Sequence, residues 1–188
     1  MAYLSTANKL GAPDISSVVT SGNLGDPTVI TQLPSVTLEA KLGEEMEAWD
    51  STLGWARFIY LAVPTSTTVT VGLLYQFDKN YTITLLPAKS TSQKTGVAVV
   101  AAYTAVTSNA TSVQYAWFLI KGQVPVLKTA VAVPPQSAVY ISATAGRVYV
   151  TSSSGGQLLG ARSQNTATAT AGVSTVNVYL NYSAMEGA

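Results

Sequence analysis

Gln114-Tyr-Ala-Trp-Phe-Leu-Ile-Lys-Gly-Gln-Val-Pro-Val-Leu-Lys128 is the stretch whose reading decides the fold. As a strand it places Val113, Tyr115, Trp117 and Leu119 on one face and Gln114, Ala116, Phe118 and Ile120 on the other. A strand with one wet face alternates apolar and polar residues. From Ala116 onward this one is apolar on both faces, so both must be covered. Lys121-Gly122 reads as a break, and a second apolar segment leaves through Val124-Pro125-Val126. Two readings stand: a central core strand ending in a turn, or a strand with one face completed by a partner subunit.

Outward from this stretch the pattern stays β. Arg57–Val63 is an apolar run ended by Pro64, and Val69–Gln76 follows. Tyr81, Ile83 and Leu85 alternate with Thr82 and Thr84, and Gly96–Ala102 is a run of small residues. Ala138–Ser142 and Arg147–Thr151 read as a hairpin around Ala145-Gly146. Thr175–Tyr182 is the cleanest alternation, with Val176, Val178, Leu180 and Tyr182 on one face. Short strands punctuated by Gly, Pro and Asn predict an all-β fold, a β-sandwich or β-barrel.

A weak internal repeat runs through this region. Tyr75 with Tyr81–Leu85 matches Tyr140 with Gly146–Val150 at an offset of 65 residues. Gly96-Val97-Ala98 then matches Gly160-Ala161-Arg162, and Ser112–Ile120 matches Ser174–Tyr182. Two such units would wrap one shared core; chance similarity among small β-rich segments is the competing explanation.

Before Gly54 the chain reads differently. Residues 1–53 form an expected extended N-terminal arm, and residues 54–188 the β domain. Residues 1–34 carry turn signals at Gly11-Ala12-Pro13-Asp14, Gly22-Asn23 and Gly25-Asp26-Pro27, with too few apolar residues to close a core. Residues 36–50 fit two patterns. Val36, Leu38, Ala40 and Leu42 alternate as a strand would, while Leu38, Leu42, Met46 and Trp49 fit one face of a helix. Gly43 weakens the helix, so the expectation is a strand to Leu42 and then an acidic turn or short helix through Glu44, Glu45 and Glu47.

Composition narrows the function. Charged residues are 10% of the 188, against roughly 25% in a typical soluble domain. No apolar run approaches the ~20 residues of a membrane helix. The absence of Cys and His removes disulfides, thiolate chemistry, the usual zinc sites and His-based triads. No signal peptide is visible, so synthesis and function without Sec export is the simplest expectation. Residues 1–78 carry a net charge of −5 and residues 79–188 one of +6, with Glu186 the sole carboxylate after Asp78. No P-loop, dinucleotide fingerprint or nucleophile elbow appears. Seven cations spread over residues 79–188 make no nucleic-acid stripe. The Glu44, Glu45 and Glu47 cluster reads as a solvated acidic segment before it reads as a metal site.

Gly54-Trp-Ala-Arg-Phe-Ile-Tyr-Leu61, Val71-Gly72 through Asp78, Gly96-Val97-Ala98, Gln114-Tyr-Ala-Trp117 with Lys121-Gly122, and Ala138-Val-Tyr through Ala143-Thr-Ala-Gly146 carry a resemblance. On these residues the chain resembles tailed-phage capsid decoration (cement) proteins, over about residues 54–182. That family has no catalytic residues, so none are carried over. The resemblance implies a structural virion protein, made in the host cytoplasm and placed on the outer capsid surface of an icosahedral phage head. There it would stabilise the head by bridging subunits of the major capsid protein, as a homo-oligomer (trimer or dimer) at capsid symmetry axes. No cofactor, metal, nucleic acid or membrane is expected. Leu38, Leu42, Met46, Trp49, Trp55, Tyr115 and Trp117 are the candidate partner-interface residues. A phage tail fibre or receptor-binding module is the alternative.

Overall fold

The computed structural model describes residues 4–5, 18–20, 40–89, 96–150 and 156–186. Among the described residues the fold is all-β with no helix: thirteen strands in one antiparallel sheet, curled into a half-barrel. In chain order they are β1 (Leu4–Ser5), β2 (Val18–Thr20), β3 (Glu45–Asp50), β4 (Gly54–Val63), β5 (Leu74–Phe77), β6 (Ile83–Leu85) and β7 (Val99–Ala102). Then come β8 (Gln114–Leu127), β9 (Ala138–Ile141), β10 (Val148–Tyr149), β11 (Gln157–Ser163), β12 (Thr175–Asn181) and β13 (Ala184–Met185).

The expected break at Lys121-Gly122 is not there: β8 runs on to Leu127. β4 pairs with its first half, from Val63↔Gln114 to Arg57↔Lys121, with a bulge between Arg57 and Phe58. Along the opposite edge β2, β7 and β12 take successive stretches, at Gln114–Ala116, Phe118–Leu119 and Lys121–Leu127. Gly122 is what lets the strand continue. Its φ is +123°, and a Cβ there would lie 2.7 Å from the Cβ of Ala56. A residue without a side chain is required where β8 slides past β4. Pro125 is tolerated because β4 has already left that part of the strand, and only β12 pairs with it.

The repeat is present as topology. In one copy β4 pairs with β8, β8 with β7, β7 with β5 and β5 with β6. In the other the second half of β8 pairs with β12, β12 with β11, β11 with β9 and β9 with β10. The last strand of the first copy is thus continuous with the first strand of the second. Isolated antiparallel bridges recur as well, Val69↔Val106 in one copy and Val133↔Ala169 in the other. Tyr81 (φ 58°) and Gly146 (φ 71°), 65 residues apart, share the left-handed conformation. The hairpin registers differ by one residue, Phe77↔Ile83 against Ile141↔Val148.

Both faces of β8 are covered from within the chain. Trp117 and Leu119 join Phe58, Tyr60, Val139, Val148, Val178 and Leu180 in one core cluster. Ala116, Phe118 and Ile120 join Ile59, Leu61, Tyr75, Ile83 and Val100 in a second cluster on the other face. The indole of Trp117 packs 4.9 Å from the Tyr60 ring, and Phe118 meets Tyr75 edge-on at 5.9 Å. The two-sided apolar pattern therefore reflects two intramolecular layers, and a partner is not needed to complete either.

The segment before Gly54 departs from expectation. Glu44, Glu45 and Glu47 lie in no helix, and Glu45–Asp50 is a strand in full register with β4, from Glu45↔Ile59 to Asp50↔Gly54. Alternation decides it: Glu45, Glu47 and Trp49 face out, while Ala48 and Asp50 are buried and Met46 is half-buried. Asp50 closes the β3–β4 turn by accepting the N–H groups of Thr52 and Leu53 at 2.7 and 2.8 Å. The boundary expected between residues 53 and 54 therefore falls inside a hairpin, and Ala40, Ala48 and Leu53 are core residues. Within the expected arm, β1 pairs with β3 and β2 with β8.

Among the described residues one cation, Lys128, lies in the interior. Lys128 is 2% exposed, and its ammonium donates to the carbonyls of Val131 (2.7 Å), Thr129 (3.4 Å) and Ala171 (3.5 Å). Removing a donor from buried carbonyls costs about 1–3 kcal/mol. Lys128→Met is expected to lower stability by about that much in urea unfolding. An unchanged midpoint would show that these carbonyls do not depend on the ammonium.

Candidate partner-binding face

The outer face of the sheet is closed at one end and open at the other. Ile59 and Leu61 of β4 are covered by the second core layer, but Trp55 and Arg57 of the same strand are not. The open part spans β3, β4, β8, β12 and β11. Register places its side chains in rows, because directly opposed residues share a face. One row is Glu47↔Arg57↔Lys121↔Asn181, the next Gln123↔Tyr179↔Arg162, and Trp49↔Trp55 stands at the β3–β4 end. Trp49 is 43% and Trp55 60% exposed.

Arg57 organises the middle of the face. Its guanidinium donates to Glu47 at 2.5 Å, to the Tyr182 hydroxyl at 2.8 Å and to Glu45 at 3.4 Å. The Tyr182 hydroxyl in turn donates to Glu45 at 2.8 Å. This network raises the pKa of Arg57, first through the Glu47 hydrogen bond and then through Tyr182. The Tyr182 phenol is also raised, by burial first and then by its bond to Glu45, with Arg57 acting the opposite way. Tyr182 holds φ 48°, a region that disfavours a bulky side chain, directly after β12. The network ties the β3–β4 hairpin to the end of β12, more than a hundred residues away in sequence. Two of the acids read as a solvated cluster are thus committed to one arginine, and Glu44 accepts the Lys41 N–H in the preceding turn.

Two hollows lie on this face and share Tyr179. One, of about 340 Å³, is lined by Glu47, Trp55, Arg57 and Lys121. The other, of about 580 Å³, lies over β11 and is lined by Gln136, Gln157, Arg162, Gln164 and Asn181. β11 builds the second hollow by bulging: its pairing with β9 shifts register between Gln157 and Arg162. Gly160, at φ +78°, sits in the bulge where a Cβ would lie 2.7 Å from the Asn181 carbonyl oxygen. Bulges of this kind re-aim side chains beside functional sites.

The structure divides the residues expected at a partner interface. Trp49 and Trp55 come together on the open face. Leu42, Met46 and Tyr115 are half-buried and pack against the first core cluster. Trp117 is 1% exposed and belongs to the core, so it offers a partner no surface in this fold. Leu38 lies outside the described residues. Sequence reading missed Arg57, Lys121, Arg162, Tyr179 and Asn181. The only signal was the polar alternation Lys121-x-Gln123 and Tyr179-x-Asn181, which becomes a surface once β8 and β12 are known to pair. Among the described residues no group of three or more acidic side chains could hold a metal ion.

No protein-family model matches the chain, and no curated protein was found to be similar to it.

Proposed function

We propose that the protein decorates the outer surface of an icosahedral phage head, bridging neighbouring major-capsid subunits, and that the Trp49–Trp55 end of the open face is its contact. The supporting observation is the exposed tryptophan pair itself. Two of the chain's three tryptophans stand side by side in solvent at the tip of a hairpin. Tryptophan is among the side chains that most often dominate protein–protein binding. β1 lies at the same place, because Leu4 is paired opposite Trp49.

The double variant Trp49→Ala/Trp55→Ala tests this. Truncating two anchors of a binding site is expected to weaken co-sedimentation with purified heads by more than tenfold. Because both residues are exposed, the unfolding midpoint should barely move. Attachment at wild-type affinity would remove the tryptophans from the interface. EDTA is expected to change neither folding nor attachment; release by EDTA would turn attention back to Glu44, Glu45 and Glu47 as calcium ligands.

A tail-fibre or receptor-binding role is the second reading, favoured by the open polar hollow over β11. Copy number separates the two: hundreds per particle for decoration, few for a fibre.

A further inference from the structure

We propose that the hollow over β11 and β12 is a binding site for an oligosaccharide carrying carboxylates, distinct from the tryptophan contact. Its chemistry is unlike that of the tryptophan end. Gln136, Gln157, Gln164 and Asn181 supply amides, each able both to donate and to accept, as paired sugar hydroxyls require. Gln136 Nε2 donates to Gln164 Oε1 at 3.3 Å, which orients two of these amides and uses one of their several hydrogen-bonding positions. The ring of Tyr179 supplies an apolar surface for the C–H face of a sugar.

Charge sets the class of sugar. Among the described residues no carboxylate lines this hollow. Among the described residues the ion pairs are Arg57 with Glu45 and Arg57 with Glu47, and Arg162, which lines this hollow, is in neither. Lys121 lines the neighbouring hollow beside Glu47 and is paired opposite Asn181, whereas Arg162 is opposite Tyr179. A ring over Tyr179 would then have the Arg162 guanidinium beside it on β11. The planar guanidinium of Arg162 suits a carboxylate in a bidentate pair. A single-stranded nucleic acid would instead call for a basic groove with several stacking aromatics, and a protein partner for an apolar centre.

The test is titration calorimetry of the full chain at low salt with tetragalacturonate, using its methyl ester and a single-stranded DNA oligomer as the two controls. Tetragalacturonate is expected to bind at least tenfold more tightly than the ester. Arg162→Gln removes a charge-assisted hydrogen bond and should weaken binding by roughly tenfold or more. Tyr179→Ala should weaken binding of the acid and the ester alike, and Trp49→Ala/Trp55→Ala should leave sugar binding unchanged. Arg162 is exposed, so its replacement should preserve the fold, which circular dichroism checks. The proposal is overturned if the acid fails to bind, if the ester or the DNA binds as well, or if Arg162→Gln binds like the wild type. Sugar binding and capsid attachment are scored on different variants, so either can fail alone.

Discussion

Trp117→Ala is expected to lower stability by about 3–5 kcal/mol, the range for emptying a large aromatic site in a packed core. Trp117 is 1% exposed, packs at a tilt against Tyr60 and lies on β8, which pairs with β2, β4, β7 and β12. Its indole nitrogen has no hydrogen-bond partner among the described residues. Trp117→Phe therefore loses volume but no hydrogen bond, and should cost less than the alanine change. Trp55→Ala is the contrast: at 60% exposure it should change stability by no more than about 1 kcal/mol. Chemical denaturation of the three variants checks this. Equal losses for Trp117→Ala and Trp55→Ala would show that β8 is not the centre of the core.

Gly122→Ala is expected to cost about 2–6 kcal/mol although it adds one methyl group. The new Cβ would lie 2.7 Å from the Ala56 Cβ and 2.8 Å from its Cα, and backbone cannot step aside as a flexible side chain can. Overpacking of this kind costs roughly 1–3 kcal/mol, and an L residue at φ +123° adds strain of about 1–3 kcal/mol. Gly54→Ala separates the two terms. Gly54 also has positive φ, +79°, but no atom lies within 4 Å of its would-be Cβ. It should show the backbone term alone, roughly 1–2 kcal/mol. If the two variants unfold at the same denaturant concentration, the close approach of β8 to β4 is not what fixes Gly122.

These two positions show what was legible in the chain. The alternation of Thr175–Asn181 gave its strand almost residue for residue, because one face is core and the other solvent. The two-sided apolar run at Ala116–Ile120 correctly demanded two covers. What lay beyond sequence reading was where the covers come from, because both are assembled from strands tens of residues away. Gly122 and Pro125 misled because each usually interrupts a strand. Here a bulge in β4 and the departure of β4 from the second half of β8 make room for them. Glu45–Asp50 misled for a different reason: Leu38, Leu42, Met46 and Trp49 carry a helical spacing that competes with the strand alternation. Tertiary pairing with β4 resolved it. The repeat was legible at its offset of 65, but the one-residue difference in hairpin register was not.

The open face was the least legible part. Its residues are not neighbours in sequence: Glu47 and Arg57 come from one hairpin, Lys121 from the middle strand, and Arg162, Tyr179 and Tyr182 from the end of the chain. Each reads alone as an ordinary surface residue. Only the strand order β3-β4-β8-β12-β11 sets them side by side, and only the bulge at Gly160 opens the hollow between them.

The central claim is that this β fold stands on the outside of a phage head and holds it through the Trp49–Trp55 end. Cryo-electron microscopy of the intact particle, reconstructed with icosahedral symmetry, tests it most directly. The account predicts density for this half-barrel on the outer surface at symmetry-related positions between major-capsid subunits, with the β3–β4 hairpin against the shell. Heads that lack the density, or density confined to the tail, would contradict it.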